Sequence, residues 1–217
     1  MAHDELILTK LEAGVLWLTL NNPENRNALS SMMIASITSE LNAAYLDDQA
    51  KVIVITGKGP VFSAGHDLRE LDQHAGNADG EAKQKVTEIL ENCAAMMMGI
   101  TQAPKPVIAC VQGTASAAGC QLVSACDLAI ADSSAMFCTP GVNIGVFCTT
   151  PLVGIGRNVS RKHAMEMALT GDMFSAEEAV RFGLINRHVA AEALMARTQE
   201  LALSLIHISE PTRPLII

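Results

Sequence analysis

The chain has 217 residues, of which 49% are apolar and 18% charged. That balance excludes a disordered chain, and the length suits one domain with a sizeable core. Fifteen Lys+Arg against 23 Asp+Glu leave a net charge of −8 with no basic stripe, which argues against nucleic acid as a partner.

No stretch reads as a membrane span. The most apolar run, Val107 to Ala131, is broken by Gln112, Gln121 and Asp127 and is dense in Gly, Ala and Ser. The start, Met1-Ala2-His3-Asp4-Glu5, is acidic and lacks a secretory profile. Six cysteines lie in apolar segments without a C-x-x-C pair, so reduced buried thiols and a cytoplasmic protein are expected, with no metal site.

In chain order, Glu5 to Leu11 and Val15 to Leu20 read as two strands around a turn at Glu12-Ala13-Gly14. A loop at 21–27 precedes a helix over 29–46, with Leu29, Met33, Ile37, Leu41 and Ala44 at helical spacing and Ser30 as its cap. Lys51 to Thr56 is a continuous apolar run, the mark of a strand buried on both faces. A loop over 61–80, a helix around 81–99 and a strand at Pro106 to Val111 follow. A short helix near 117–125 leads to a strand at Asp127 to Ala131. The alternation of strand and helix predicts an α/β fold with crossover connections. Beyond Pro151 three helices are expected, near 160–169, 175–182 and 190–204, the second opened by a capping box at Ser175-Ala176-Glu177-Glu178.

The stretch from Leu205 to Ile217 breaks this pattern with two prolines and an apolar end. It resembles translated sequencing-adaptor sequence, so we expect residues 205–217 to be foreign and the natural C-terminal segment to be missing. The division is then a core over 1–159, the start of a helical C-terminal region over 160–204, and the tail.

Four stretches in order carry a family resemblance. They are Pro23-Glu24-Asn25-Arg26-Asn27-Ala28-Leu29; Gly57 to Leu71, including Ser63-Ala64-Gly65-His66-Asp67-Leu68; Lys105 to Ala131, including Gly113 to Cys120; and Leu169 to Asn186. Together they resemble the crotonase (enoyl-CoA hydratase/isomerase) superfamily over nearly all of residues 5–204. Within it, His66, Gly119-Cys120-Gln121-Leu122 and Thr139-Pro140-Gly141-Val142-Asn143 resemble the enoyl-CoA hydratase domain-containing protein 3 subgroup.

The resemblance implies a crotonase-like spiral of ββα units followed by C-terminal helices, assembled as a homotrimer or hexamer. It implies an acyl-CoA thioester as substrate or ligand, with no permanently bound cofactor. The backbone N–H groups of His66 and Ala118 would form an oxyanion hole for the thioester oxygen, where each donor is worth ~2.7–4 kcal/mol of barrier. Gly65 and Gly119 would allow sharp turns and close approach. Ala64, Asp67 and Leu68 would run along the coenzyme A moiety. Arg26 and Lys58 would meet its phosphates, although both are equally consistent with solvated surface charge.

A hydratase of this family uses two glutamates around a water. The first position falls on Gln121, whose amide cannot carry a proton near neutral pH; the second falls on Gly141. Loss of a general acid or base typically costs ~10²–10⁴-fold, so efficient hydration is not expected. His66 has the pKa range for proton transfer, Asn143 can only orient a ligand, Glu70 reads as a helix-start charge, and Asp127 as a structural pair. The sequence therefore points to an enoyl-CoA hydratase/isomerase-like enzyme that works through an oxyanion hole, with a catalytically inactive acyl-CoA-binding module as the alternative.

Overall fold

The computed structural model describes residues 5–75 and 80–207. In chain order it runs β1 (Ile7–Glu12), β2 (Val15–Leu20), α1 (Ser31–Leu46), β3 (Val52–Gly57), β4 (Val61–Ser63), α2 (Leu68–Ala75), α3 (Gly80–Thr101), β5 (Val107–Val111), β6 (Thr114–Ser116) and α4 (Ala118–Ala125). Then follow β7 (Leu128–Asp132), β8 (Met136–Cys138), a 3-10 turn at Pro140–Ile144, α5 (Thr149–Asn158), α6 (Arg161–Thr170), β9 (Phe174–Ser175), α7 (Ala176–Phe182), β10 (Arg187–Val189) and α8 (Leu194–Leu205).

The main sheet has the order β1-β2-β3-β5-β7-β10, and only the β1–β2 pair is antiparallel. Its centre follows from the sequence. Val52 to Thr56 and Val107 to Val111 are buried along their whole length, as an apolar run covered on both faces must be. One face carries the large core, with Leu18, Ile53, Ile55, Val107 and Ala109 against Met33, Ile37 and Ile100. The other face is covered by α8, where Leu194 and Ala202 join Trp17, Val54, Ile108 and Ile130. Trp17 Nε1 donates to Gln199 Oε1 at 2.9 Å and ties α8 to the sheet.

A second sheet, β4-β6-β8-β9, is built from strands of two or three residues. The apolar pattern did not announce it, because strands this short carry no periodicity. The expected loop over 61–80 therefore contains β4 and α2, and helix begins at Thr149, ahead of Pro151. In β1 only Ile7 is buried, so its alternation marks an edge strand rather than a two-faced one. The capping box forms as expected: Ser175 Oγ accepts from Glu178 N at 3.2 Å while Glu178 Oε2 accepts from Ser175 N at 2.9 Å. Leu205 and Ile206 pack against the sheet beside α8, and residues 208–217 of the expected foreign tail lie outside the described residues. Among the described residues no helix is long and apolar enough to cross a membrane.

Candidate active site

The segment Asn22 to Leu29 owes its shape to one residue the sequence reading passed over. Asn27 is fully buried with φ of 50°, a conformation that Asn tolerates better than most residues. Its Nδ2 donates to the carbonyls of Lys58 at 3.0 Å and Val61 at 2.8 Å, and its Oδ1 accepts from Asn22 N at 2.9 Å. Ser63 Oγ donates to the Asn27 carbonyl at 2.9 Å and accepts from Gly65 N at 3.3 Å. Leu29 N then donates to the Gly65 carbonyl at 2.8 Å. The loop after β4 is thus fixed from below, at the two residues before His66.

A second loop meets it from the side. Gly65 has φ of +84°, and a Cβ there would lie 2.8 Å from the Ser116 carbonyl and 2.9 Å from Ala118 N. A Cβ on Gly119 would lie 2.3 Å from the Ser63 carbonyl. Only glycine permits this backbone-to-backbone approach. Ala118 is buried and is the first residue of α4, so its N–H has no acceptor within the helix and stands at the positive end of the dipole. The residue before it, Ala117, has φ 50° and ψ −117°, a strained conformation held by Ala117 N donating to the Cys138 carbonyl at 2.9 Å.

Beside His66 opens a cleft of about 370 Å³. Arg26, Ala64, His66, Asp67 and Leu68 all line it, so the structure brings together most of the expected coenzyme A contacts. Gly65, Ala118, Gly119, Gln121 and Gly141 are not in its lining. Lys58 is exposed and is not in the lining. The second basic group is instead Arg69, whose backbone N donates to Asp67 Oδ1 at 3.0 Å and whose Nη1 donates to Asn25 Oδ1 at 3.4 Å. It sits in α2, the helix hidden in the expected loop.

The His66 ring is half-buried, and its Nε2 is buried without a hydrogen-bond partner. Burial lowers its pKa, opposed by the nearby Glu70 carboxylate. Glu70 is more than a charge in its own helix, since its Oε2 accepts from Ser31 N at 2.8 Å and so caps α1 from outside. Asp127 is structural as expected: its Oδ2 accepts from Val107 N at 2.8 Å.

The two glutamate positions differ. Gln121 lies on α4, 8% exposed, with an Oε1 that finds no partner among the described residues. Gly141 is buried in the 3-10 turn, and a Cβ there would lie 2.5 Å from the Val146 carbonyl and 2.8 Å from Cys148 Sγ. The backbone has closed into the space a glutamate would need. Asn143 is exposed, and its side chain lies against the Gly171 position. All six cysteines are free and buried; burial raises the pKa of Cys93 to about 11 and pushes Cys110, Cys120, Cys126 and Cys138 up as well. Among the described residues no three His, Cys, Asp or Glu side chains are placed to hold a metal ion.

Residues 10–213 match the family described as Enoyl-CoA hydratase/isomerase. The chain belongs to that family. Mouse enoyl-CoA hydratase domain-containing protein 3, mitochondrial, is 44% identical over 208 residues, 96% of this chain and 67% of that one. The human relative of the same name is 43% identical over 198 residues, 91% of this chain and 63% of that one. The chain thus spans about two thirds of their length. The crystal structure of human enoyl coenzyme A hydratase domain-containing protein 3 superposes with a TM-score of 0.88 at 40% identity, covering 95% of this chain and 79% of that one. The family fold is the crotonase fold, as the resemblance implied.

These names correct the expected cytoplasmic location, because the mouse, rat and human relatives are each designated mitochondrial. The expectation rested on unpaired thiols and a start without a secretory profile. Unpaired thiols argue against an oxidising compartment but do not separate cytoplasm from mitochondrion.

Proposed function

We propose that this hydratase/isomerase-family protein is a mitochondrial acyl-CoA enzyme that polarises the thioester through an oxyanion hole and does not hydrate by a glutamate pair. The N–H groups of His66 and Ala118 receive the thioester oxygen. The polar part of coenzyme A lies along Arg26, Ala64, Asp67 and Leu68, with Arg26 and Arg69 near its phosphates. The observation that carries this reading is the junction of the Gly65 and Ala118 loops, whose backbones approach as only glycine allows, with the adjoining His66 lining a cleft of about 370 Å³. Fixed amide dipoles beside buried surface stabilise developing negative charge without reorganisation.

The two positions of the family's glutamates support a reaction other than hydration. Gln121 supplies an amide where a carboxylate is needed, and the Gly141 site has no room for one. Ile144, Val146, Leu169 and Met173 are more than half exposed on neighbouring turns, which supports assembly into a homotrimer or hexamer. Incubating the protein with saturated, unsaturated and carboxylated acyl-CoAs, with products separated chromatographically from their isomers and read by mass spectrometry, tests the reading. Release of free coenzyme A, decarboxylation or double-bond isomerisation is the expected result. A gain of one water on enoyl-CoA would overturn it. Binding without turnover would assign the protein as an acyl-CoA-binding module.

A further inference from the structure

The loops that carry the His66 and Ala118 N–H groups leave the second sheet from neighbouring strands. The first follows β4 and the second follows β6. How the two N–H groups stand relative to one another therefore depends on the β4–β6 register. Val61 pairs with Thr114 and Ser63 with Ala115, so β4 takes two steps where β6 takes one, and the register shifts between the pairs. Strands this short, with such an irregularity, specify their pairing weakly. A slip of one residue displaces a strand by about 3.3 Å, whereas oxyanion donors must stand about 2.7–3.1 Å from the charge they hold. The ladder alone does not give that precision.

Gln112, between β5 and β6, supplies a second constraint. Its Oε1 accepts from Gly57 N at 3.2 Å and from Thr56 Oγ1 at 3.4 Å, at the end of β3. Its Nε2 donates to the Gly59 carbonyl at 3.4 Å and to the Val61 carbonyl at 3.3 Å. One side chain thus grips both ends of the β3–β4 turn, while its own backbone leads into β6. The Val61 carbonyl also accepts from Asn27 Nδ2 at 2.8 Å, so two amides converge on the first residue of β4. Gly57 makes room for them: a Cβ there would lie 2.6 Å from Gln112 Nε2 and 2.9 Å from Asn27 Nδ2. The next residue, Gly113, lies so close to the same turn that a Cβ on it would overlap the Pro60 carbonyl. Buried Asp132 holds Gly113 in place, its Oδ2 accepting from Gly113 N at 3.0 Å.

We propose that Gln112 is a positioning residue for the oxyanion hole: its amide sets the β4–β6 register and so makes the His66 and Ala118 N–H groups converge on one thioester oxygen. The inference rests on the oxyanion-hole reading proposed above. Gln112 is not in the lining of the cleft, so its effect reaches the ligand through the two loops. An amide is required because the turn presents opposite groups at its two ends, an N–H at Gly57 and carbonyls at Gly59 and Val61.

The test uses the full chain and butyryl-CoA with an isotope label at the thioester carbonyl. Isotope-edited infrared spectroscopy reads the carbonyl stretch of the bound ligand, calorimetry sets the occupancy, and circular dichroism reads folding. In the wild type the stretch should move to lower frequency on binding. Gln112→Met, similar in length but without an amide, should still bind butyryl-CoA and lose most of that shift. Gln199→Met is the matched control: it removes the bond to Trp17 on the other face of the main sheet and should keep the whole shift. Gln112→Glu keeps the acceptor toward Gly57 N but, ionised, no longer donates to Val61; it should lose the shift too, and it serves if Gln112→Met does not fold. A full shift in a folded Gln112 variant would overturn the inference. So would an equal loss in Gln199→Met, loss of binding in folded Gln112→Met, or failure of both Gln112 variants to fold, since each would assign Gln112 to stability or to binding. A wild type that binds butyryl-CoA without a shift, or does not bind it, would overturn the oxyanion-hole reading itself, a separate outcome.

Discussion

The two groups of residues that the family resemblance assigns to the site, taken as its two walls, are built by opposite means. On one side the Gly65 and Ala118 loops are held by backbone contacts so close that side chains are excluded, with Asn27 and Ser63 bonded beneath them. On the other, Gln121, Gly141 and Cys148 sit on α4, a 3-10 turn and the start of α5, and the acid–base pair is absent. In the function proposed above, the first wall supplies thioester polarisation, and the second lacks the carboxylates of hydration. An oxyanion hole made of backbone survives substitution of the side chains that line it, whereas a carboxylate pair is lost with two codons. Chemistry can therefore change on one wall while the other stays fixed.

The sharpest way to break the comparison is at Gly119. A Cβ there would meet the Ser63 carbonyl at 2.3 Å, and neither backbone can yield without separating the two loops. Gly119→Ala should destabilise by about 3 kcal/mol, the upper end for overpacking, and abolish acyl-CoA binding. Urea denaturation and calorimetry read the two effects. A variant as stable and as tight as wild type would show that the loops are not the rigid wall.

The second wall predicts a failure to regain function. Restoring the family's carboxylates with Gln121→Glu and Gly141→Glu together should not produce a hydratase, because the Val146 carbonyl and Cys148 Sγ occupy the Gly141 side-chain space. The double variant should lose about 1–3 kcal/mol to overpacking and to a buried carboxylate. Hydration of crotonyl-CoA, followed by absorbance, should stay at background. A gain of activity would mean that the 141–148 segment rearranges and the wall is only a side-chain change.

How much of this was legible beforehand follows the same division. The central strands were, because Val52 to Thr56 and Val107 to Val111 are apolar throughout. The first wall came from the family resemblance of Ser63 to Leu68 and Gly113 to Cys120, since Ala-Gly-rich turns taken alone read as close packing. The same resemblance assigned the two carboxylate positions to Gln121 and Gly141. The filling of the Gly141 space was not legible, because a carbonyl five residues downstream and a thiol seven residues downstream supply it. Arg69 and α2 were hidden by a polar stretch with little apolar period, and β6 and β8 by their length of three residues. Asn27 was quoted within a family stretch, yet nothing local signals that its amide reaches Lys58 and Val61.

A smaller effect is expected at Ala117, between the walls. Its φ of 50° and ψ of −117° cost an alanine roughly 1–3 kcal/mol of strain. Ala117→Gly relieves that strain and loses about 0.4–1 kcal/mol through a freer unfolded chain. The net change should be neutral to stabilising, with acyl-CoA binding kept. A loss of more than about 1 kcal/mol would mean that the alanine methyl packs usefully.

The smallest expected effect is a pH dependence at His66. Burial lowers its pKa from 6.5 in the folded chain, with Glu70 acting in the opposite direction. The folded state therefore holds its proton less tightly than the unfolded one. Below about 6.5 the unfolded state binds more protons, so this residue's contribution to stability falls as pH drops toward the lowered folded value, and is constant above 6.5. His66→Gln, which keeps the backbone N–H and a polar side chain, should flatten that segment of the stability profile and leave thioester binding at pH 8 unchanged. An unaltered profile would place the ring in solvent-like surroundings. Weakened binding at pH 8 would show that the imidazole itself contacts the acyl-CoA, and the first wall would then be more than backbone.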